Sequence, residues 1–198
     1  RIWDQEEANS ILAEVVSYGS VTVTETQKRS SQSSGKLYDL TSLQREANRL
    51  HSLSASRTLQ IAQLLYEKHK AITYPRTDSK ALPEDYGETC REIIPLLPSE
   101  FKAYSNKVIS EDWVDEKNKK IFNNKQISDH FAIIPTNIIP KSLDEYERKV
   151  YNLIVKRFLA VFFPPAQWDI TTRLSKMGNH TFKTEGKVLV EPSWLSIY

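Results

Sequence analysis

The sequence predicts an α+β fold, because strand-like segments lie near both ends of the chain and a block with helical periodicity separates them. Residues 20–25 (SVTVTE) alternate polar and apolar side chains, which is typical of a half-buried strand. From Trp168 onward the same texture returns in the segments WDITTRL, HTFKTE, KVLV and SWLSIY. We therefore expect a β-rich domain, split by an inserted, mainly helical domain. The expected limits are residues 1–38 and 167–198 for the β-rich domain and residues 39–166 for the helical one.

Capping patterns predict where three helices begin. An oxygen-bearing side chain followed three residues later by Glu or Gln is a common helix start. Further along, Pro164 and Pro165 predict the end of a long amphipathic helix with Tyr146 on its apolar face. The three predicted starts are Asp4 with Glu7, Thr41 with Gln44, and Ser142 with Glu145.

Polar segments and glycines predict the connections between these elements. Residues 26–36 (TQKRSSQSSGK) are polar throughout and predict a flexible, exposed loop. Gly178 and Gly186 predict turns between four short strands. Residues 81–127 have mainly helical character.

Composition narrows the class of protein only slightly. The 198 residues are 39% hydrophobic with a net charge of +2, which permits nucleic-acid binding but does not argue for it. Cys90 is the only cysteine, so an intrachain disulfide and a cysteine zinc cluster are both excluded. No apolar run approaches membrane-spanning length, and the first ten residues are too charged for a signal peptide. We therefore expect a cytoplasmic protein that does not interact with membranes.

The segment ITYPRTDS (residues 72–79) places a tyrosine, an arginine and an aspartate at alternate positions. Pro75 stiffens the backbone after Tyr74, and in extended backbone Tyr74, Arg76 and Asp78 would share one face. A phenol, with a pKa of about 10, attacks phosphorus only if a cation stabilises the developing charge. The planar guanidinium of arginine can hold two phosphate oxygens. By itself, the spacing favours a buried strand tyrosine beside an ordinary surface arginine.

A second segment, SDHFAIIPTN (residues 128–137), places His130 just before a buried apolar run. A protonated imidazole there could pair with a phosphate and help to orient a bridging oxygen. From position alone, a histidine with structural hydrogen bonds is the simpler interpretation. We expect His51, His69 and His180 to lie at the surface or at interfaces.

The third segment, LYDLTSLQREANRL, combines a predicted helix start with basic residues. The free N–H groups of a helix that begins at Thr41 and Gln44 would favour an anion. Arg45 and Arg49 lie on one helical face, with Arg57 further on, and together they could follow a nucleic-acid backbone. A solvated charged face explains the same pattern.

Together, the three segments resemble the type IA DNA topoisomerase family, in which a tyrosine within YxRTDS becomes joined to a DNA 5′-phosphate. LYDLTSLQREANRL and TLQIAQLLYEKHKAITYPRTDS resemble the approach to that nucleophile, DHFAIIPT resembles the family's histidine motif, and YNLIVKRFLAVFFPPA resembles the following helix. The resemblance covers nearly the whole chain. Pro75 and AIIPT favour the topoisomerase III branch.

The resemblance implies roles for individual residues and for the two domains. It makes Tyr74 the nucleophile, Arg76 the phosphate clamp and His130 a residue near the scissile phosphate. The β-rich domain becomes a hinge that lets the helical domain swing away, so that a second strand passes before resealing without ATP. Residues expected to contact single-stranded DNA are Thr41, Gln44, Arg45, Arg49, Arg57, Thr77, Asp78 and Thr136.

The sequence also departs from the family pattern. The proline pair expected before LYDLT is replaced by SSGK. The acidic metal-binding Toprim domain, which would hold Mg²⁺, and the helical domain that completes the family's ring are not recognisable. Hence we expect a piece of a larger protein, inactive alone, that works on nucleoid DNA with those missing domains. A cluster of acidic residues lacks the DxDxE spacing of a Toprim domain: Glu111, Asp112, Asp115 and Glu116. These residues predict a solvated helix face. We therefore expect no metal site in this chain.

Two other functions fit the same residues. A non-catalytic module for single-stranded nucleic acid would use Tyr74 and Tyr38 as stacking platforms in a basic groove. A protein-interaction domain would use the helical block to bind a partner, with its arginines serving only solubility.

Overall fold

The computed structural model describes residues 2–198, and its helices and strands confirm the predicted α+β class. Residue 1, the first position of the expected β-rich domain, lies outside the described residues. The helices are α1 (Gln5–Ser17), α2 (Leu40–His51), α3 (Ala55–Glu67), α4 (Gly87–Ile93), α5 (Lys102–Ser110) and α6 (Glu145–Ala160). The strands are β1 (Thr22–Gln32), β2 (Ala166–Met177) and β3 (His180–Glu191). Short 3-10 turns lie at Ile94–Leu96, Ser99–Phe101, Asn124–Gln126 and Ser193–Ile197.

The chain divides into a strand-rich unit and a helical unit. The strand-rich unit contains the residues up to Gln32 and Ala166–Pro192. The helical unit contains Ser33–Pro165 and Ser193–Tyr198. Residues 33–38 and 193–198, which we expected in the β-rich domain, therefore belong to the helical unit. That the strand-rich unit acts as a hinge stays a prediction.

The strand-rich unit is a three-stranded antiparallel sheet in the order β1-β2-β3. β1 pairs with β2 from Thr22↔Lys176 to Gln32↔Ala166, and β2 pairs with β3 from Met177↔His180 to Gln167↔Glu191. Much of the predicted polar loop 26–36 is therefore strand, because cross-strand pairing satisfies its backbone without burying its side chains. The predicted four strands after Trp168 are also wrong: the chain forms two long strands, and SWLSIY forms a 3-10 turn.

Two glycines differ in what their positions require. Gly178 lies in the β2–β3 turn, as expected, with a φ of +56° and the Tyr18 ring where a Cβ would stand. Gly186 lies within β3, not in a turn.

The core of the helical unit forms around α6, which contributes nine of its sixteen residues to the interior. Val150, Ile154 and Phe158 are fully buried there, as their spacing predicts. Tyr146, expected on the same face, is instead exposed, because it lies in the first turn of α6, before that face meets the core. His69 also differs from expectation: its side chain is nearly buried, and its Nε2 lies 3.2 Å from Oε1 of the buried Glu147.

Two of the three predicted helix starts are wrong by a few residues. Asp4 caps α1 through Glu7 N–H, as expected. However, Asp39 rather than Thr41 caps α2, by accepting from Ser42 N–H at 2.7 Å. Asp144 rather than Ser142 caps α6, by accepting from Glu147 N–H, and the Glu147 carboxylate accepts from Asp144 N–H in return. In both helices the aspartate immediately before the first helical residue reaches the free N–H groups.

Residues 81–127 are less helical than predicted. Only α4 and α5 are α-helices there; the remainder is 3-10 turn and irregular chain. α5 ends at Ser110, so the acidic residues 111–116 lie on a turn rather than on a helix face, and Glu116 pairs with Arg91 at 2.7 Å. Across residues 2–198, every helix is too short or too polar to cross a lipid bilayer.

Candidate active site

Two segments that are distant in sequence meet where Tyr74 lies. Ile72 forms an antiparallel bridge with Pro135. Thr73 N–H donates to the Ile134 carbonyl at 3.0 Å, and Thr136 N–H donates to the Ala71 carbonyl at 3.0 Å. These pairings place the end of the ITYP segment directly against the AIIP segment that follows His130.

Two threonine hydroxyls hold the segments together. The Thr73 hydroxyl donates to the Ala132 carbonyl at 2.9 Å and accepts from Ile134 N–H at 3.0 Å. The Thr77 hydroxyl donates to the His130 carbonyl at 2.8 Å and accepts from Ser79 N–H at 3.0 Å. Each hydroxyl uses both its donor and an acceptor lone pair, so the backbone around His130 is held from both ends of the tyrosine segment.

The side chains of Tyr74 and His130 lie side by side. Their ring centroids are 4.3 Å apart, with the planes tilted by 44°. Tyr66 from α3 packs its ring against Tyr74 at 5.4 Å in an edge arrangement. Tyr74 is partly exposed and His130 is exposed, so the pair lies at the surface rather than in the core.

Arg76 stands beside this pair without a partner. From Pro75 to Ser79, buried and exposed side chains alternate, and Arg76 and Asp78 share the exposed face. The Asp78 carboxylate accepts from the Ser128 hydroxyl at 3.2 Å, and no group within residues 2–198 forms a hydrogen bond or ion pair with the Arg76 side chain. An open cleft of about 280 Å³ is lined by Arg76, Thr77, Asp78, Ser128, Asp129 and His130.

The beginning of α2 contacts the same loop. Leu40 N–H donates to the Thr77 carbonyl at 3.0 Å, and Lys80 Nζ lies 3.6 Å from the Asp39 carboxylate. Thr41 is exposed in the first turn of α2. The segment that carries Arg76 is thereby tied to the amino end of a helix.

Several residues that we expected to contact DNA have internal partners instead. Gln44 donates to the Ala55 carbonyl at 3.1 Å, which joins α2 to the start of α3. The Thr136 hydroxyl donates to the Lys70 carbonyl at 2.6 Å, and the Thr77 hydroxyl is engaged as described above. The hydrogen bonds of these side chains stabilise the helical unit and leave them less available to contact DNA.

The arginines of α2 and α3 do not line the cleft. Arg49 forms two hydrogen bonds with Glu46, at 2.8 and 3.3 Å, and Arg57 lies 3.5 Å from the Gln60 side chain. Arg45 is exposed, with no ion pair to any described residue. Of the basic residues that we expected to contact DNA, only Arg76 and His130 line the cleft.

Tyr38 cannot serve as the stacking platform that we considered. It is 1% exposed, and the Arg157 guanidinium covers its ring at 4.3 Å. Burial raises the pKa of the Tyr38 phenol far above its ordinary value, while the charge of Arg157 opposes this only in part. The tyrosine is a core residue, so the stacking alternative would depend on Tyr74 alone.

The described residues do not fit a magnesium site. Within residues 2–198 no three His, Cys, Asp or Glu side chains lie close enough together to hold a metal ion. Asp78 and Asp129, the two carboxylates in the cleft, share it with Arg76 and His130 and not with a third acid.

Sequence reasoning missed three residues that shape the site: Tyr66, Thr73 and Ser128. Tyr66 could have been noticed, because it lies in the last turn of α3, the helix that leads to Tyr74. For Thr73 and Ser128 the sequence holds no such signal, since their partners lie far away along the chain.

Comparisons with known proteins show the family to which this chain belongs. The sequence model of a family described as DNA topoisomerase matches residues 1–198. The chain belongs to the type IA DNA topoisomerase family. DNA topoisomerase 3 of Bacillus cereus is 37% identical over 201 residues, which cover 100% of this chain and 27% of that protein. DNA topoisomerase 3 of Bacillus subtilis is 40% identical over 166 residues, 82% of this chain and 22% of that protein.

The relatives also bear on the branch of the topoisomerase family and on the fold. Their names support the expected lean towards topoisomerase III. Full-length topoisomerase I from Thermotoga maritima has a similar fold, with a TM-score of 0.67 and 24% identity over 100% of this chain and 32% of that one. This topoisomerase chain thus spans about a quarter of the length of the curated relatives it matches.

Proposed function

We propose that this chain is the nucleophile-carrying part of a type IA DNA topoisomerase and that Tyr74 forms a transient bond to DNA. The observation that carries the proposal is the 4.3 Å contact between the Tyr74 and His130 rings, beside an exposed and unpaired Arg76. A scissile phosphate held between a phenol, an imidazole and a guanidinium requires this proximity.

In the proposed reaction, the Tyr74 hydroxyl oxygen attacks the phosphorus of one strand. The bond between phosphorus and the 3′-oxygen breaks, the phenol loses its proton, and the 3′-oxygen takes up a proton and leaves as a hydroxyl group. The phosphate remains on the 5′ end as a tyrosine ester. Resealing reverses these steps without ATP, because the ester keeps the energy of the broken bond.

Arg76 and His130 have separate roles in this proposal. The Arg76 guanidinium has no hydrogen bond or ion pair with any described residue. It would therefore be free to bind two non-bridging oxygens of the phosphate. His130, protonated, would pair with the phosphate and orient the bridging oxygen. Thr77 would position His130 by donating its hydroxyl hydrogen to the His130 carbonyl, without contacting DNA itself.

The remainder of the proposed enzyme lies outside this chain. Because the described residues do not fit a metal site, Mg²⁺ would be held by a Toprim domain of the parent protein. The strand-rich unit would serve as the hinge for strand passage, and the parent protein would act on single-stranded segments of nucleoid DNA in the cytoplasm.

A chimeric enzyme tests the proposal. These 198 residues would replace the matching segment of the Bacillus cereus topoisomerase 3, which aligns with the whole chain, and DNA cleavage would be trapped with detergent. We expect a covalent complex that carries the 5′-phosphate, abolished by Tyr74→Phe and retained in the control Tyr66→Phe. A complex that survives Tyr74→Phe would exclude Tyr74 as the nucleophile.

The chimera also separates two candidate functions, whereas the isolated chain should be inactive under either of them. We expect no magnesium-dependent cleavage or relaxation by the chain alone, because residues 2–198 contain no cluster that could hold the metal ion. If the chimera also binds single strands without ever becoming linked to them, the chain is a non-catalytic binding module instead.

A further inference from the structure

A second groove of the helical unit has the features of a site for phosphate groups. Its cavity of about 220 Å³ lies between residues 33–36 (Ser-Ser-Gly-Lys) and the turn that carries Asn118 and Lys120. The remaining lining is apolar, from Ile121, Val161, Phe163 and Pro165. The lining thus contains two lysines, two serines, an asparagine and no acidic residue.

The polar groups of this groove have few partners within the protein. The Ser33 and Ser34 hydroxyls and the Lys120 ammonium form no hydrogen bond or ion pair within residues 2–198. The Lys36 ammonium donates once, to the Gln126 side chain at 3.1 Å, and keeps two further N–H groups. Several donors and two positive charges are therefore available to one ligand.

Arg157 holds the 33–36 loop in place. Its Nη1 donates to the Lys36 carbonyl at 3.0 Å, and a Cβ on Gly35 would stand only 2.7 Å from that same nitrogen. The guanidinium also packs over the Tyr38 ring at 4.3 Å, and its Nε donates to the Tyr198 hydroxyl at 3.1 Å. A loop fixed in this way offers its donors in one arrangement, which lowers the entropic cost of binding.

The charges near the groove favour an anion that repeats along a chain. Lys119 is already paired with Glu84 at 3.2 Å, and Lys117 lines a separate cleft with Asp112, Asp115 and Glu116. Lys125, next to the Gln126 side chain that accepts from Lys36, is exposed and has no ion pair within the described part of the chain. Lysines spread along a turn are typical of contacts to a phosphate backbone. We infer that this groove binds phosphodiester groups of single-stranded DNA, as a contact additional to the Tyr74 site. The identity of the ligand as DNA rests on the proposed function.

Hydrogen bonds connect the groove to the loop of the active site. Gln126, which accepts from Lys36, uses its carbonyl to accept from the Ser79 hydroxyl at 2.9 Å. Ser79 in turn donates its N–H to Thr77, the residue that holds His130. A DNA strand that contacts both this groove and the Tyr74 site would therefore bind two sites that hydrogen bonds connect within the protein.

Binding of an oligothymidine to the 198-residue chain tests the inference. The double variant Lys36→Ala, Lys120→Ala would be compared with Lys141→Ala, Lys176→Ala, two exposed lysines outside the groove. We expect about three- to tenfold weaker binding for the first pair only. The dependence of log affinity on log salt should become shallower by about 1.4, at about 0.7 for each lost phosphate contact. An unchanged slope, or an equal loss in the control pair, would overturn the inference.

The Gly35 amide resonance identifies the ligand and separates the two proposals. We expect it to shift with oligothymidine in the wild type and equally in Tyr74→Phe, so that failure of the nucleophile assignment leaves this result intact. An equal response to an oligoglutamate of the same charge would assign the groove to acidic protein segments. Saturation by inorganic phosphate at the same concentration would assign it to small phosphates. Either outcome excludes DNA as the specific ligand.

Discussion

At the residue scale, Thr73 and Thr77 determine where the candidate catalytic groups lie. Their hydroxyls bond to the backbone of residues 130, 132 and 134, and they flank Tyr74 on either side. Alternation within ITYPRTDS predicted a shared face for Tyr74, Arg76 and Asp78; Arg76 and Asp78 are exposed, and Tyr74 is partly exposed. It did not predict that Thr77, the buried residue between them, would form the polar contact to the His130 carbonyl.

Loss of the Thr77 hydroxyl should destabilise the protein and move His130. Thr77→Val leaves the His130 carbonyl and Ser79 N–H without partners at a site that is 8% exposed. We expect a loss of about 1–3 kcal/mol in the free energy of unfolding, measured by urea denaturation, and a shifted His130 ring resonance. Thr77→Ser should retain most of both. Thr41→Val, the same change at an exposed position, is the control, and an equal loss there would refute this role.

At the element scale, local sequence patterns predict that a helix exists more reliably than they predict the residues at which it begins and ends. The helix periodicity around Val150 and Phe158 follows from side chains within one segment. Which oxygen caps a helix depends on the backbone angles of the residue before it, and Asp144 has the extended conformation, with ψ near 174°, that a cap requires. Strand length depends even more on partners: β1 continues through polar residues because β2 lies beside it.

The cap of α6 can be tested with a matched pair. Asp144→Ala removes the acceptor for Glu147 N–H and should cost about 1 kcal/mol in the free energy of unfolding. Ser142→Ala, two residues earlier, should change stability little, because its hydroxyl has no hydrogen bond to any described residue. A larger loss in Ser142→Ala would mean that the helix begins where the sequence pattern placed it.

At the scale of the whole molecule, buried ionisable groups should make the fold sensitive to alkali. Burial raises the pKa of the Cys90 thiol to about 12 and that of the Tyr151 phenol to about 12. An unfolded thiol ionises near pH 8.5 and an unfolded phenol near pH 10, both on the order of their reference values. Folding therefore favours the protonated forms, and their contribution is complete below about pH 8.5.

Above about pH 8.5 the contribution of the Cys90 thiol to the free energy of unfolding should decline before that of the Tyr151 phenol. The unfolded chain loses the thiol proton while the folded chain keeps it, so the free energy of unfolding should fall by up to about 1.4 kcal/mol per pH unit. Cys90→Ala should flatten the pH dependence of urea denaturation between about pH 8.5 and 10. Ile93→Val, a neighbouring core change that does not titrate, should lower stability without changing the slope. An unaltered slope in Cys90→Ala would show that the thiol is accessible to water.

The sequence by itself determined the α+β class, the helical block, the family and the segments that carry the candidate chemistry. Each of these depends on patterns within a short stretch, such as the apolar spacing of α6 or the alternation in ITYPRTDS. Only the tertiary structure decided that Tyr74 lies against His130, that Tyr38 is buried beneath Arg157, and that α2 and α3 keep their arginines away from the cleft. These arrangements depend on contacts between residues far apart in sequence, where the free energy of packing and hydrogen bonding, rather than local spacing, selects the partner.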